Sequence, residues 1–178
     1  MTTRPPLRYT GVDLAFLGVV AIVAGIIFYS AWYVYDFGKA IGGIYASRVL
    51  AYGLWFIGAP LAATLIRKPG AAFLGEFLGA LVETIVPTVG GFTNLIYGAA
   101  QGFASEIGYM ILGYRRWGAG AAALAGALAA FPCIALDAVL FAEIYPAPVM
   151  LGLLVAAIIS GAVYGAIAAL VVKGITRR

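Results

Sequence analysis

Apolar residues run along this chain in blocks of about 20, separated by short breaks, and they do not alternate with polar ones. Helical blocks of that length cross a ~30 Å hydrocarbon core, whereas membrane barrels show alternating segments of about 10 residues. Six spans are predicted: Val12–Trp32, Ala46–Ile66, Ala71–Val86, Asn94–Gly113, Ala119–Phe141 and Val149–Val172. Gly and Pro mark the breaks, at Lys68-Pro69-Gly70, at Pro87 with Gly90-Gly91, and at Pro146 with Pro148. The third span is short for a perpendicular crossing. The fold class expected is all-α: an integral membrane bundle of six transmembrane helices in a single transmembrane domain, residues 1–178. No internal repeat is evident, which sets the chain apart from inverted-repeat transporters. Met1–Tyr9 is short and polar and precedes a block long enough to span, so no cleavable signal is expected.

Charge orients the bundle. Nine of the 11 Lys and Arg residues lie at the N-terminus, the 2–3 loop, the 4–5 loop and the C-terminus: Arg4, Arg8, Arg67, Lys68, Arg115, Arg116, Lys173, Arg177 and Arg178. Lys39 and Arg48 flank the 1–2 loop. The positive-inside rule then places both termini in the cytoplasm and asks for an even number of spans.

Composition excludes several classes of function. Hydrophobic residues make up 64% of the chain and charged residues 10%, against about 25% charged in soluble domains. With one cysteine, Cys133, and no histidine, a Cys/His metal cluster, an internal disulfide and the Ser-His-Asp and Cys-His catalytic sets are all excluded. No enzyme activity and no cofactor are expected. The net charge of +4 comes from basic residues at membrane edges, which form no nucleic-acid patch. There is no G-x-x-x-x-G-K-[ST] phosphate loop, so ATP-driven work needs a partner.

Ionisable groups inside a bilayer are functional candidates by default. Glu76 and Glu83 stand seven apart in the third span and share one helical face. Asn94, Tyr97, Gln101 and Ser105 form a stripe along the fourth span, followed by Glu106, and Gln101 falls at a depth similar to Glu83. Asp137 sits near the outer end of the fifth span; Trp32, Tyr33 and Tyr35 crowd that of the first, and Tyr52 and Trp55 lie in the second. Carboxylates, amides and aromatic rings thus converge in the outer half of the bundle. Such a pocket suits a flat, cationic or amine-bearing molecule, by charge-assisted hydrogen bonds and ring stacking. The same residues have plainer readings. Trp32 and Tyr33 fit an interfacial aromatic belt, Glu76 a buried structural partner, Asp13 a solvated group or a partner of Arg8, and Cys133 a small packing residue.

Small residues recur every four positions: Ala21 and Gly25; Gly98 and Gly102; Gly118, Ala122, Gly126 and Ala130; Ala157, Gly161, Gly165 and Ala169. Such faces let helices approach closely, within the bundle or against another membrane subunit.

The stretches Gly53-Leu54-Trp55-Phe56-Ile57 and Ile66-Arg67-Lys68-Pro69-Gly70-Ala71-Ala72, then Glu76, Ala80-Leu81-Val82-Glu83, Gln101-Gly102 and Glu106, carry a resemblance. This block, about a third of the chain, resembles the substrate-binding (S) subunits of energy-coupling-factor (ECF) vitamin transporters. It is most similar to the YkoE type, associated with thiamine or its hydroxymethylpyrimidine precursor. The resemblance implies a six-helix bundle that binds its vitamin near the outer face. The partners it implies are a transmembrane coupling subunit and ABC ATPases. Together with the residue reading it gives a candidate substrate-binding set of Glu83, Gln101, Glu106, Glu76, Tyr97, Asn94, Trp32 and Trp55, and Ala21 and Gly25 as candidates for docking the coupling subunit. The competing readings are an autonomous proton-coupled carrier, with Glu76, Glu83 and Glu106 as relay, and a ligand-free membrane assembly subunit.

Overall fold

Thr10 and Asp13 start the first helix reciprocally. The Asp13 amide donates to Thr10 Oγ1 (3.3 Å), and the Thr10 amide donates to Asp13 Oδ2 (2.6 Å), a capping box that satisfies two otherwise orphaned donors. The computed structural model describes residues 8–176, so Arg4, Arg177 and Arg178 of the charge pattern lie outside the described residues. Helix α1 (Gly11–Ser47) leaves helical geometry at Gly42 and Gly43, the latter at φ 68°, a region that favours glycine. There the chain doubles back. A side chain at Gly38 would collide with the Ser47 backbone, so the two arms pack at glycine distance.

The returning arm is irregular. A π-helical segment, Arg48–Tyr52, leads to the single turn α2 (Gly53–Trp55), a break at Phe56–Ile57, and α3 (Gly58–Ile66). Arg67 ends α3 in the left-handed region at φ 56°. Then come α4 (Ala71–Thr84), α5 (Thr93–Ile111), α6 (Ala119–Leu140) and α7 (Ala147–Thr176). No strand occurs among the described residues. The helix of the first span continues past Trp32 to the glycine reversal, so the aromatic cluster there lies within a helix and not at its end.

Among the described residues, three stretches are long and apolar enough to cross a membrane: Gly11–Ile66, which contains the reversal, Ala119–Leu140 and Ala147–Thr176. Rows of exposed apolar residues face outward, among them Val19, Ile22 and Ile26 on α1, and Leu151, Val155, Ile159 and Val163 on α7. In water such a surface would be a liability; in lipid it is the solvated face.

The small-residue stripes face inward. On α6 and α7, Gly126 opposes Gly161 and Ala122 opposes Gly165, with backbone against backbone. Gly98 and Gly102 of α5 admit Ala80, Phe73 and Glu76 of α4. Ala21 and Gly25 are buried, and a side chain at Gly25 would strike Val82 and the Gly79 carbonyl of α4. The expectation that these two dock a coupling subunit is corrected: α4 already occupies the face they present.

Gly126→Ala should therefore destabilise the bundle by about 1–3 kcal/mol through overpacking, while Gly18→Ala, which meets nothing within 4 Å, should leave it unchanged or gain about 0.5–1 kcal/mol. Thermal unfolding in detergent checks the pair. Equal melting temperatures for the two variants would mean that the α6–α7 contact is not this tight.

Candidate functional site

Near the Gly42–Gly43 end, α1, the returning arm, α4, α5 and α6 enclose a cavity of about 290 Å³. The irregular backbone of the returning arm creates one wall. It turns Tyr52 and Trp55 toward Trp32 and Tyr35 of α1, with ring centroids 4.9 Å apart for Trp32–Trp55, 5.8 Å for Tyr52–Trp55 and 5.9 Å for Tyr35–Trp55. A regular helix would keep its backbone groups paired at this depth; here α7 supplies the partners. Ser160 Oγ accepts from the Gly53 amide (2.8 Å), and the Tyr164 hydroxyl donates to the Leu50 carbonyl (2.9 Å). The indole of Trp55 is pinned by its own donation to the Phe28 carbonyl (3.0 Å).

Three buried carboxylates line the cavity: Glu76, Glu83 and Asp137. Their partners are neutral donors. Trp32 Nε1 donates to Glu83 Oε1 at 2.8 Å. Both oxygens of Asp137 are taken, by the hydroxyls of Tyr52 (2.5 Å) and Tyr97 (2.8 Å). Glu76 accepts from the Ala59 amide at 2.8 Å. The nearby guanidinium of Arg48 is itself buried and forms an ion pair with Glu143 from the α6–α7 connection. It also donates to the Tyr35 hydroxyl (3.2 Å) and lies over the Tyr35 and Tyr52 rings. The cavity thus combines acceptors held by neutral donors with a cluster of edge-to-face aromatic rings, an arrangement that favours a cation or an N–H-rich heterocycle.

Of the predicted set, Glu83, Gln101, Glu76, Tyr97, Asn94, Trp32 and Trp55 come together around this one cavity. Asn94 is held by donating to Thr88 Oγ1 (3.0 Å) in the α4–α5 connection. Glu106 does not join them, which is a correction. It accepts from the amides of Gly70 (2.7 Å) and Phe73 (3.1 Å), closing the start of α4 at the opposite end of the bundle. One neighbour at that end also differs from expectation. Asp13 pairs with Lys68 (2.6 Å), not with Arg8, whose carbonyl accepts from the same ammonium. Tyr9, pushed up to about 12 by burial and then by Glu106 and Asp13, stays protonated and donates to the Pro69 carbonyl (2.9 Å).

The candidate set omits Tyr35, Tyr52 and Asp137, although the sequence places all three in the outer half of the bundle, and it misses Cys133 and Glu143; all five line the cavity. Asp137 was legible as an ionisable residue in an apolar span, and Tyr52 by its place three residues before Trp55. Glu143 had no local signal, since its partner Arg48 is 95 residues away.

Fold and cavity define a membrane-embedded helical bundle with an aromatic-walled cavity lined by buried carboxylates. The chain belongs to the family described as ABC-type cobalt transport system, permease component, whose sequence model matches residues 12–132. It is 28% identical over 116 residues to the putative HMP/thiamine permease protein YkoE of Bacillus subtilis (strain 168), a match spanning 64% of this chain and 57% of that relative's length. Its fold is that of a solved S-component of an ECF transporter, with a TM-score of 0.83 and 26% identity over 95% of this chain and 84% of that one.

Glu106→Ala should cost about 1–2 kcal/mol, the value of a lost helix N-terminal cap, and leave ligand affinity at the cavity unaltered. Unfolding and binding measured on the same variant check this; a large loss of affinity in a folded protein would return Glu106 to the site.

Proposed function

We propose that this chain is the substrate-capturing S component of an ATP-driven ECF importer, taking up thiamine or its hydroxymethylpyrimidine precursor. In this reading it crosses the membrane six times as a single domain, residues 1–178, with both termini in the cytoplasm. The charge pattern supports that orientation. Arg8, Arg67 and Lys68 gather at the end away from the cavity, where Lys68 ties the chain start to the α3–α4 connection. The cavity then opens to the outside. A coupling subunit and ABC ATPases supply the energy, since the chain has no phosphate-binding loop of its own.

The observation that carries the reading is the cavity itself: buried carboxylates that pair with no basic side chain, Lys39 lining the cavity over the Tyr35 ring instead, beside a wall of Trp32, Trp55, Tyr35 and Tyr52. A thiazolium or aminopyrimidine ring offers the matching chemistry of positive charge, N–H donors and a flat face. The name of the Bacillus relative supports the same substrate class. The family's description mentions cobalt. A chain with no histidine and a single cysteine lacks the nitrogen and sulfur donors such a metal favours, and the aromatic wall serves an organic cation better. The proton-carrier reading loses one member of its relay, because Glu106 is spent on the start of α4.

Calorimetric titration of the purified chain in detergent with thiamine, and separately with hydroxymethylpyrimidine, should show tight binding of at least one. Glu83→Gln should weaken it by about 1.5–3 kcal/mol, the value of one hydrogen bond to a charged group. Absence of heat with both ligands on folded, ligand-free protein would remove the vitamin assignment, and an unchanged affinity in the variant would remove Glu83 from the site.

A further inference from the structure

The break before α3 leaves helix-opening amides without partners in a region that lipid surrounds. Ile57 offers no side-chain cap. Pro60 has no amide hydrogen to satisfy, which suits the first turn, and the Leu61 amide reaches the Ile57 carbonyl at 3.1 Å. The Gly58 and Ala59 amides remain. Glu76, reaching across from α4 and 0% exposed, answers the second of them with one oxygen. Oε2 accepts from Ala59 at 2.8 Å, and a side chain at Gly58 would come within 3.0 Å of the same atom. Gly102 of α5 and Gly75 of α4 are the glycines that admit this close approach.

The other oxygen, Oε1, is buried and has no hydrogen-bond partner among the described residues. Glu76 lines the cavity two helical turns from Glu83 on the same face of α4. Asp137, by contrast, has both oxygens occupied. An enclosed carboxylate oxygen without a donor is costly, and the cavity is where a donor can come from.

We propose that Glu76 joins cavity occupancy to the break between α2 and α3: Oε2 holds the Ala59 amide at the start of α3 while Oε1 receives an N–H or cationic group of the bound heterocycle. This rests on the reading of the cavity as the solute site and deepens it. A capped α3 and a bound solute then share one carboxylate. Solute in the cavity fixes the orientation of that carboxylate, and the start of α3 is steadied with it. Glu76 is in this sense a positioning residue for the returning arm as well as a contact for the solute.

Hydrogen–deuterium exchange on the full chain in detergent, with and without thiamine, tests the link through peptides covering residues 57–61. In the wild type, saturating thiamine should slow exchange there about tenfold. In Glu76→Gln, thiamine affinity should fall at least about tenfold. At saturation the slowing at 57–61 should vanish, while protection around Trp32 persists. Glu76→Asp keeps the charge but withdraws the carboxylate by one methylene, and should lose the exchange effect too, which guards against a folding failure of the first variant. Thiamine binding to the wild type with exchange at 57–61 unchanged overturns the link and leaves the solute site standing; so does a Gln variant that keeps both affinity and protection. A wild-type chain that binds no thiamine and no hydroxymethylpyrimidine overturns both.

Discussion

The structure depends on how a broken stretch of backbone is satisfied where water is absent. Between Arg48 and Gly58 the returning arm passes through a π-helical segment, a single turn and a break. Irregular backbone at membrane depth survives only where protein pairs it. The partners come from the opposite side of the bundle. Ser160 and Tyr164 on α7 serve the first part, and Glu76 on α4 serves the last. Each is placed by close helix packing, which the opposed glycines of α6 and α7 and the glycines of α4 and α5 permit. The aromatic wall follows from this, since an unbroken helix would turn Tyr52 and Trp55 to other directions. Packing, backbone irregularity and site are therefore one arrangement.

The electrostatics of the cavity follow a consistent rule. Burying a carboxylate costs heavily unless it is paired or hydrogen-bonded. This protein meets that cost with neutral donors: one indole, two phenols and one main-chain amide. Neutral donors hold the acceptors in place and form no ion pair with them. The buried cation within reach, Arg48, is turned to Glu143 and to the Tyr35 and Tyr52 rings. It braces the α6–α7 connection beside the cavity and leaves the interior acceptors unmatched. A site built this way is complementary in its chemistry to a group that donates N–H bonds or carries positive charge.

Much of this was legible in the sequence because helical phase carries it. Glu76 and Glu83, seven residues apart, had to share a face, and both reach the cavity. Asn94, Tyr97 and Gln101 follow the same logic on α5. Phase also explains the failure at Glu106. It stands five residues after Gln101, which rotates it about 140° around the helix and away from the cavity toward the start of α4. Small-residue spacing showed that α1 approaches something closely at Ala21 and Gly25 but not what, and the answer is α4. The π-helical segment and the Arg48–Glu143 pair had no periodic signature, because each is settled by contacts between distant parts of the chain.

The anchoring of α3 gives the broken arm mechanical meaning. Its far end is fixed at the basic edge of the bundle, where Arg67 adopts a left-handed turn, Lys68 grips Asp13 and the Arg8 carbonyl, and Glu106 closes the start of α4. Its near end hangs on one carboxylate, Glu76. This nine-residue helix is packed along its length, with Ala59, Ala62 and Ala63 fully buried and Gly58 set against the backbone of Gly75. Phe56 and Trp55 lie about one turn from the group that Glu76 holds. Trp55 touches Trp32, and Trp32 holds Glu83. The buried carboxylates Glu76 and Glu83 are thus connected twice, along α4 through the helix and across the cavity through the aromatic wall.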